Sequence, residues 1–167
     1  MFKKIGPILV LIILMITVSI SGCVSDPVTD FSGPSYVPSD YTNTRNNTTD
    51  NGKIMVYQGP AQLNLFMVAA VKDPNQEYIN NISNQFGSNK SEYIQKSNES
   101  LEVNGHQIEM KIETISLFGT SISTFQSVWF CDKARLTYAT IGVVPTRDLE
   151  EMKNMTKSIQ CHQWYSF

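Results

Sequence analysis

The 167-residue chain is poor in the residues from which reactive centres are usually built. It has two histidines, His106 and His162, and three cysteines, Cys23, Cys131 and Cys161. A metal centre needs three or four converging N, S or O ligands. Two isolated histidines do not supply them once Cys131 and Cys161 are oxidised, so neither a metal nor a cofactor is expected. The chain also lacks a G-x-S-x-G elbow and a glycine-rich phosphate loop. Nucleophilic catalysis requires a serine or cysteine beside a base and an orienting group, whereas the serines here fall in turns or glycosylation triplets. There is no basic surplus either: 13 Lys and Arg against 15 Asp and Glu leave a formal charge of −2. With nothing in excess to neutralise phosphates, a nucleic-acid partner is excluded.

The one long apolar run lies at the start. Lys3 and Lys4 form a positive n-region, Ile8 to Val18 an apolar h-region, and Ser19 to Gly22 are mostly small. This is the layout of a signal peptide over residues 1–22. The alternative, an uncleaved transmembrane anchor, needs about 20 apolar residues, and Gly6, Pro7, Ser19, Ser21 and Gly22 shorten or weaken the run. Ile20-Ser21-Gly22-Cys23 resembles the lipobox of prokaryotic lipoproteins, archaeal ones among them. That resemblance implies a diacylglyceryl thioether on Cys23, which becomes the first mature residue on the extracytoplasmic face of the membrane. Two acyl chains anchor stably where one does not. Loss of Lys3 and Lys4 leaves eleven basic and fifteen acidic side chains, a charge of −4.

Outside the cytoplasm the remaining even pair, Cys131 and Cys161, reads as a disulfide. Its loop of about 30 residues would stabilise the fold by roughly 3–4 kcal/mol in the chain-entropy model. A redox pair or half of a metal site are the alternatives, but the two cysteines stand far apart rather than in a C-x-x-C turn.

Residues 23–52 follow the leader as a lipidated cysteine and a polar segment without periodicity, which predicts a disordered tether. A flexible coil of that length spans on the order of 30 Å. Asn46, Asn47, Asn81, Asn89, Asn98 and Asn154 each begin an N-x-S/T acceptor triplet. They fit either a glycosylated exoprotein or coincidence in an Asn- and Ser-rich chain.

Residues 53–167 read as one domain, of a usual size for a single core. Strands are predicted at 53–58 and 63–71, the second apolar on both faces. Asp73 as N-cap, Pro74 at the first helical position, Gln76, and Ile79, Ile82 and Phe86 on one face predict a helix over about 74–86 closed by Gly87. Asn104-Gly105 predicts a type I′ hairpin with Val103 opposite His106. A second strand pair flanks Asp132-Lys133; a two-residue turn there would put Cys131, Trp129 and Phe125 on one face with Ala134, Leu136 and Tyr138. Val128, Phe130 and Arg135 would share the other. A last helix over about 147–160 carries Leu149, Met152, Met155 and Ile159 inward.

The expected architecture is thus α+β: an antiparallel β-sheet of five to six strands with two packed helices. That order of elements, with "LEVNGHQIEM" in mid-chain and a final helix ending "KSIQC", resembles the PsbP-like superfamily over residues 53–161. The resemblance implies an αβα sandwich and action by binding, and transfers no site residue. The function it and the leader suggest is a lipid-anchored binding or accessory protein of the envelope. Its partner would be an envelope protein or polymer, and the membrane would be contacted through the lipid. Val128, Phe130, Arg135, Trp164 and Tyr165 are the candidate partner surface. An envelope hydrolase and a structural surface glycoprotein are the alternatives.

Overall fold

The computed structural model describes residues 31–73, 77, 94–117 and 119–161. They form seven strands: β1 (Thr42–Thr49), β2 (Gly52–Gln58), β3 (Leu65–Lys72), β4 (Ile94–Val103), β5 (His106–Leu117), β6 (Thr120–Cys131) and β7 (Leu136–Pro145). A 3-10 turn at Thr146–Asp148 leads into α1 (Leu149–Lys157). All seven strands lie in one sheet in the order β1-β2-β3-β7-β6-β5-β4, and every neighbouring pair is antiparallel. Two meanders, β1 to β3 and β4 to β7, are therefore zipped together where β3 meets β7.

Local chemistry explains the hairpins. Asn104 and Gly105 both have positive φ, 49° and 83°, as a type I′ turn demands, and Val103 pairs with His106. Alternation then sends Leu101, Val103, Ile108, Met110 and Ile112 to an inner face, where all are buried. β6 and β7 add Phe125, Trp129, Cys131, Tyr138 and Val144 to that face, and β3 adds Phe66, Val68 and Ala70. α1 lies over it through Leu149, Met152 and Met155, with Ile159 beyond its end. Each of these side chains contributes about 1.5–3 kcal/mol by leaving water. Gly142 is required where β7 passes Phe125: a Cβ there would stand 2.4 Å from the Phe125 ring and 2.5 Å from the Leu65 carbonyl.

Three expectations need correction. The α+β architecture with two packed helices gives way to a seven-stranded antiparallel sheet. Among the described residues it carries one helix longer than a single turn, nine residues long and shorter than the expected 147–160. The helix expected over 74–86 lies outside the described residues except at Glu77, which is helical and donates its backbone N–H to Asp73 Oδ1 at 2.8 Å. With that architecture falls the αβα sandwich implied by the PsbP-like resemblance.

The second correction concerns the tether. Residues 42–49 pair along β2 as an edge strand. Ahead of it Phe31 is 2% exposed and stacks edge-on against Tyr138 at 5.4 Å. Pro34 bridges to Ile159, and Ser35 N–H donates to the Ser158 carbonyl at 3.1 Å. The polar sequence of β1 misled because an edge strand needs only backbone partners, and polar side chains suit an edge.

Third, the β6–β7 connection has four residues, with Cys131 opposite Leu136 rather than Ala134. Asp132-Lys133 lacks the residues that accept positive φ in a two-residue turn, and the left-handed position falls instead on Arg135, at φ 53°. The parity of the faces is kept, so Trp129 still shares a face with Tyr138, but it now stands opposite that residue rather than opposite Leu136.

Candidate functional site

Among the described residues, the densest gathering of reactive side chains lies at one end of the inner face. β5 and β6 pair from Leu117 opposite Thr120 to Met110 opposite Ser127. Continuing that register sets Ile108 opposite Trp129 and His106, the first residue of β5, opposite Cys131, the last residue of β6. Cys161 arrives from the far side, four residues beyond α1. The two sulfurs and a ring nitrogen of His106 all lie within 4.8 Å of one another. Both cysteines are buried and His106 is half-buried.

The surroundings hold Cys161 in place. Tyr138 Oη donates to the Cys161 carbonyl at 3.3 Å, and the Cys131 thiol approaches the same oxygen at 3.8 Å. Asn104 Nδ2, fixed by the type I′ turn, donates to Cys161 Sγ at 3.5 Å. Trp129 stacks on Tyr138 with ring centroids 5.4 Å apart and an interplanar angle of 16°, and Phe31 closes on the same tyrosine. Burial pushes the Cys161 thiol up to about 12; the Cys131 thiol adds to the rise and the Asn104 amide opposes it. Burial likewise raises the Tyr138 phenol, with smaller contributions from both cysteines.

The two cysteines expected to pair are thus neighbours, but as thiols rather than as a disulfide. His106, read from sequence as a hairpin-end histidine, joins them. The sequence argues against that ligand set because an expected Cys131–Cys161 disulfide leaves only two isolated histidines as donors. The signal that could have found it is register: the type I′ turn fixes His106 as the start of β5, and the β5–β6 pairing does the rest.

The remaining expected site residues are dispersed. Val128 and Phe130 sit half-buried on the outer face, opposite Ala139 and Thr137 of β7. Arg135 does not share that face; it is exposed in the turn. Trp164 and Tyr165 lie outside the described residues. Sequence reasoning also missed Gln126, on the outer face, whose carboxamide is buried with no hydrogen-bond partner for either atom.

Asn46 and Asn47 are exposed on β1, Asn98 on β4 and Asn154 on α1. β1 and β4 are the two edges of the sheet. Asn81 and Asn89 lie outside the described residues, as does Cys23.

No protein-family model matches the chain, and no curated protein matches it either.

Proposed function

We propose that the chain is a lipid-anchored protein of the extracytoplasmic membrane face, and that its domain acts by binding an envelope protein or polymer close to the bilayer. The lipobox-like Ile20-Ser21-Gly22-Cys23 supports the anchor. The observation that carries the closeness to the bilayer is the burial of Phe31 in the core. Eight residue steps separate it from Cys23, and at 3.6 Å per step the chain reaches at most about 29 Å. A domain tethered that shortly works at the membrane surface rather than far out in a wall layer. Glycans on Asn46, Asn47 and Asn98 would lie along the two sheet edges and close them to pairing with other strands.

Intact-mass measurement on membrane-extracted protein tests this reading. The expected mass lacks residues 1–22 and carries acyl chains on Cys23, with any glycans read as further increments. Cys23→Ser is expected to leave the membrane fraction. A retained Met1 with no acyl mass, or a Cys23→Ser protein that stays membrane-bound, would refute the anchor.

A further inference from the structure

We propose that His106, Cys131 and Cys161 bind one thiophilic cation, Zn2+ or Cu+, which joins the β4–β5 hairpin, the end of β6 and the segment after α1. The inference goes beyond the lipid-anchored reading and does not depend on it.

The donor set fits such an ion in kind and in spacing. Thiolate and imidazole are the ligands that select zinc and cuprous copper. With zinc–sulfur bonds near 2.3 Å and zinc–nitrogen bonds near 2.0 Å, a tetrahedron has edges of about 3.8 Å between sulfurs and about 3.5 Å between sulfur and nitrogen. The three donor atoms already lie within 4.8 Å of one another. Closing onto an ion therefore asks for adjustments of about 1 Å, within the reach of side-chain rotation. A disulfide would instead need the sulfurs at about 2.05 Å and would give His106 no part.

Charge and surroundings agree. Two thiolates offset Zn2+ completely, so a buried site would carry no net charge; with Cu+ one negative charge remains. In either case the Asn104 amide, which donates to Cys161 Sγ at 3.5 Å, would strengthen as a hydrogen bond once that sulfur is a thiolate. The Tyr138 hydrogen bond to the Cys161 carbonyl fixes the backbone that carries this ligand. His106 is half-exposed at the hairpin end and gives an ion its way in.

Binding breaks two S–H bonds, forms two metal–sulfur bonds and one metal–nitrogen bond, and releases two protons to solvent. No oxidant is consumed, which separates it from disulfide formation. Zinc would complete its shell with a water molecule, and Cu+ is satisfied by the three protein donors.

The test uses the full chain in detergent, reduced with a phosphine and stripped of metal under anaerobic conditions. It is titrated with zinc chloride, or with Cu+ delivered as its bicinchoninate complex. One ion per chain and two protons released per ion are expected. His106→Gln and Cys161→Ser should each weaken binding by at least about 100-fold, since so few ligands share the binding free energy of a zinc site. Gln107→Ala, on the opposite face of β5, should leave it unchanged. An intact urea transition in His106→Gln shows that the variant folds, and in protein titrated with Co2+ in place of zinc a weakened thiolate-to-cobalt absorption band in Cys161→Ser reports the ligand directly. X-ray absorption on protein taken from its own cells separates the two ions: four light-atom and sulfur neighbours for zinc, three for copper. Three outcomes overturn the proposal: no stoichiometric uptake, uptake undiminished in His106→Gln, or native protein isolated anaerobically with a Cys131–Cys161 disulfide and no metal.

Discussion

Replacing Phe31 by alanine asks whether the domain begins near Cys23 or some thirty residues later. Phe31 is 2% exposed, and its ring meets that of Tyr138 edge-on at 5.4 Å. Its carbonyl also accepts from Lys53 Nζ at 2.7 Å, a bond that alanine keeps. Truncating a buried phenylalanine costs about 3–5 kcal/mol, of which the edge-on ring contact accounts for roughly 0.5–1.5. That is a large share of the 5–15 kcal/mol by which domains are usually stable. With a urea m-value of about 2 kcal/mol/M, the unfolding midpoint should fall by roughly 1.5–2.5 M. Trp129 fluorescence is a suitable probe, because its indole stacks on the tyrosine that Phe31 covers. Phe31→Leu, which refills part of the space, should lose less than half as much. A midpoint shift below about 0.3 M, or under 1 kcal/mol at that m-value, would mean that Phe31 is not docked. The 29 Å limit on the distance from the anchor would then fall with it.

Three further outcomes follow from packing and titration. Gly142→Ala should destabilise by about 1–3 kcal/mol through overpacking, because the added Cβ meets both the Phe125 ring and the Leu65 carbonyl; an unchanged urea midpoint would show that the β3–β7 spacing is looser than described. In the reduced, metal-free protein Cys161 should alkylate far more slowly at pH 8 in the native state than in urea, since its folded value is raised to about 12 from 9.0. The raised value also sets the sign of the alkaline response: above about pH 9 the unfolded thiol gives up a proton that the folded one keeps, so stability should decline as pH rises toward 12. Tyr138, raised by the same burial, adds in the same direction above its unfolded value of 10.0. Urea midpoints that hold or rise between pH 9 and 11 would contradict this.

A salt-bridge cluster shows how the helix is keyed to the sheet. Lys153 Nζ lies 2.7 Å from Glu99 of β4 and 3.2 Å from Glu150 one turn back on α1. Burial alone would lower this lysine, but the two carboxylates outweigh it and hold it above its ordinary value. The pair with Glu99 ties α1 to an edge strand, the same strand whose hairpin delivers His106.

What the sequence determined by itself was local. Asn104-Gly105 dictated a type I′ hairpin because two consecutive residues that tolerate positive φ permit little else there. The alternation of Leu101, Val103, Ile108 and Met110 then chose the buried face. Leu149, Met152 and Met155 marked the inner side of α1 by their spacing. The tertiary structure decided everything that depends on which strand lies beside which. β1 has no apolar signature and exists because β2 offers it an unpaired edge. The four-residue β6–β7 turn was settled by pairing across ten residues of ladder, not by Asp132-Lys133. The site was decided in the same way. His106, Cys131 and Cys161 come together because the β5–β6 register aligns two strand ends while α1 returns the third residue over the inner face. Register is a property of paired strands, so no single stretch of sequence contains it.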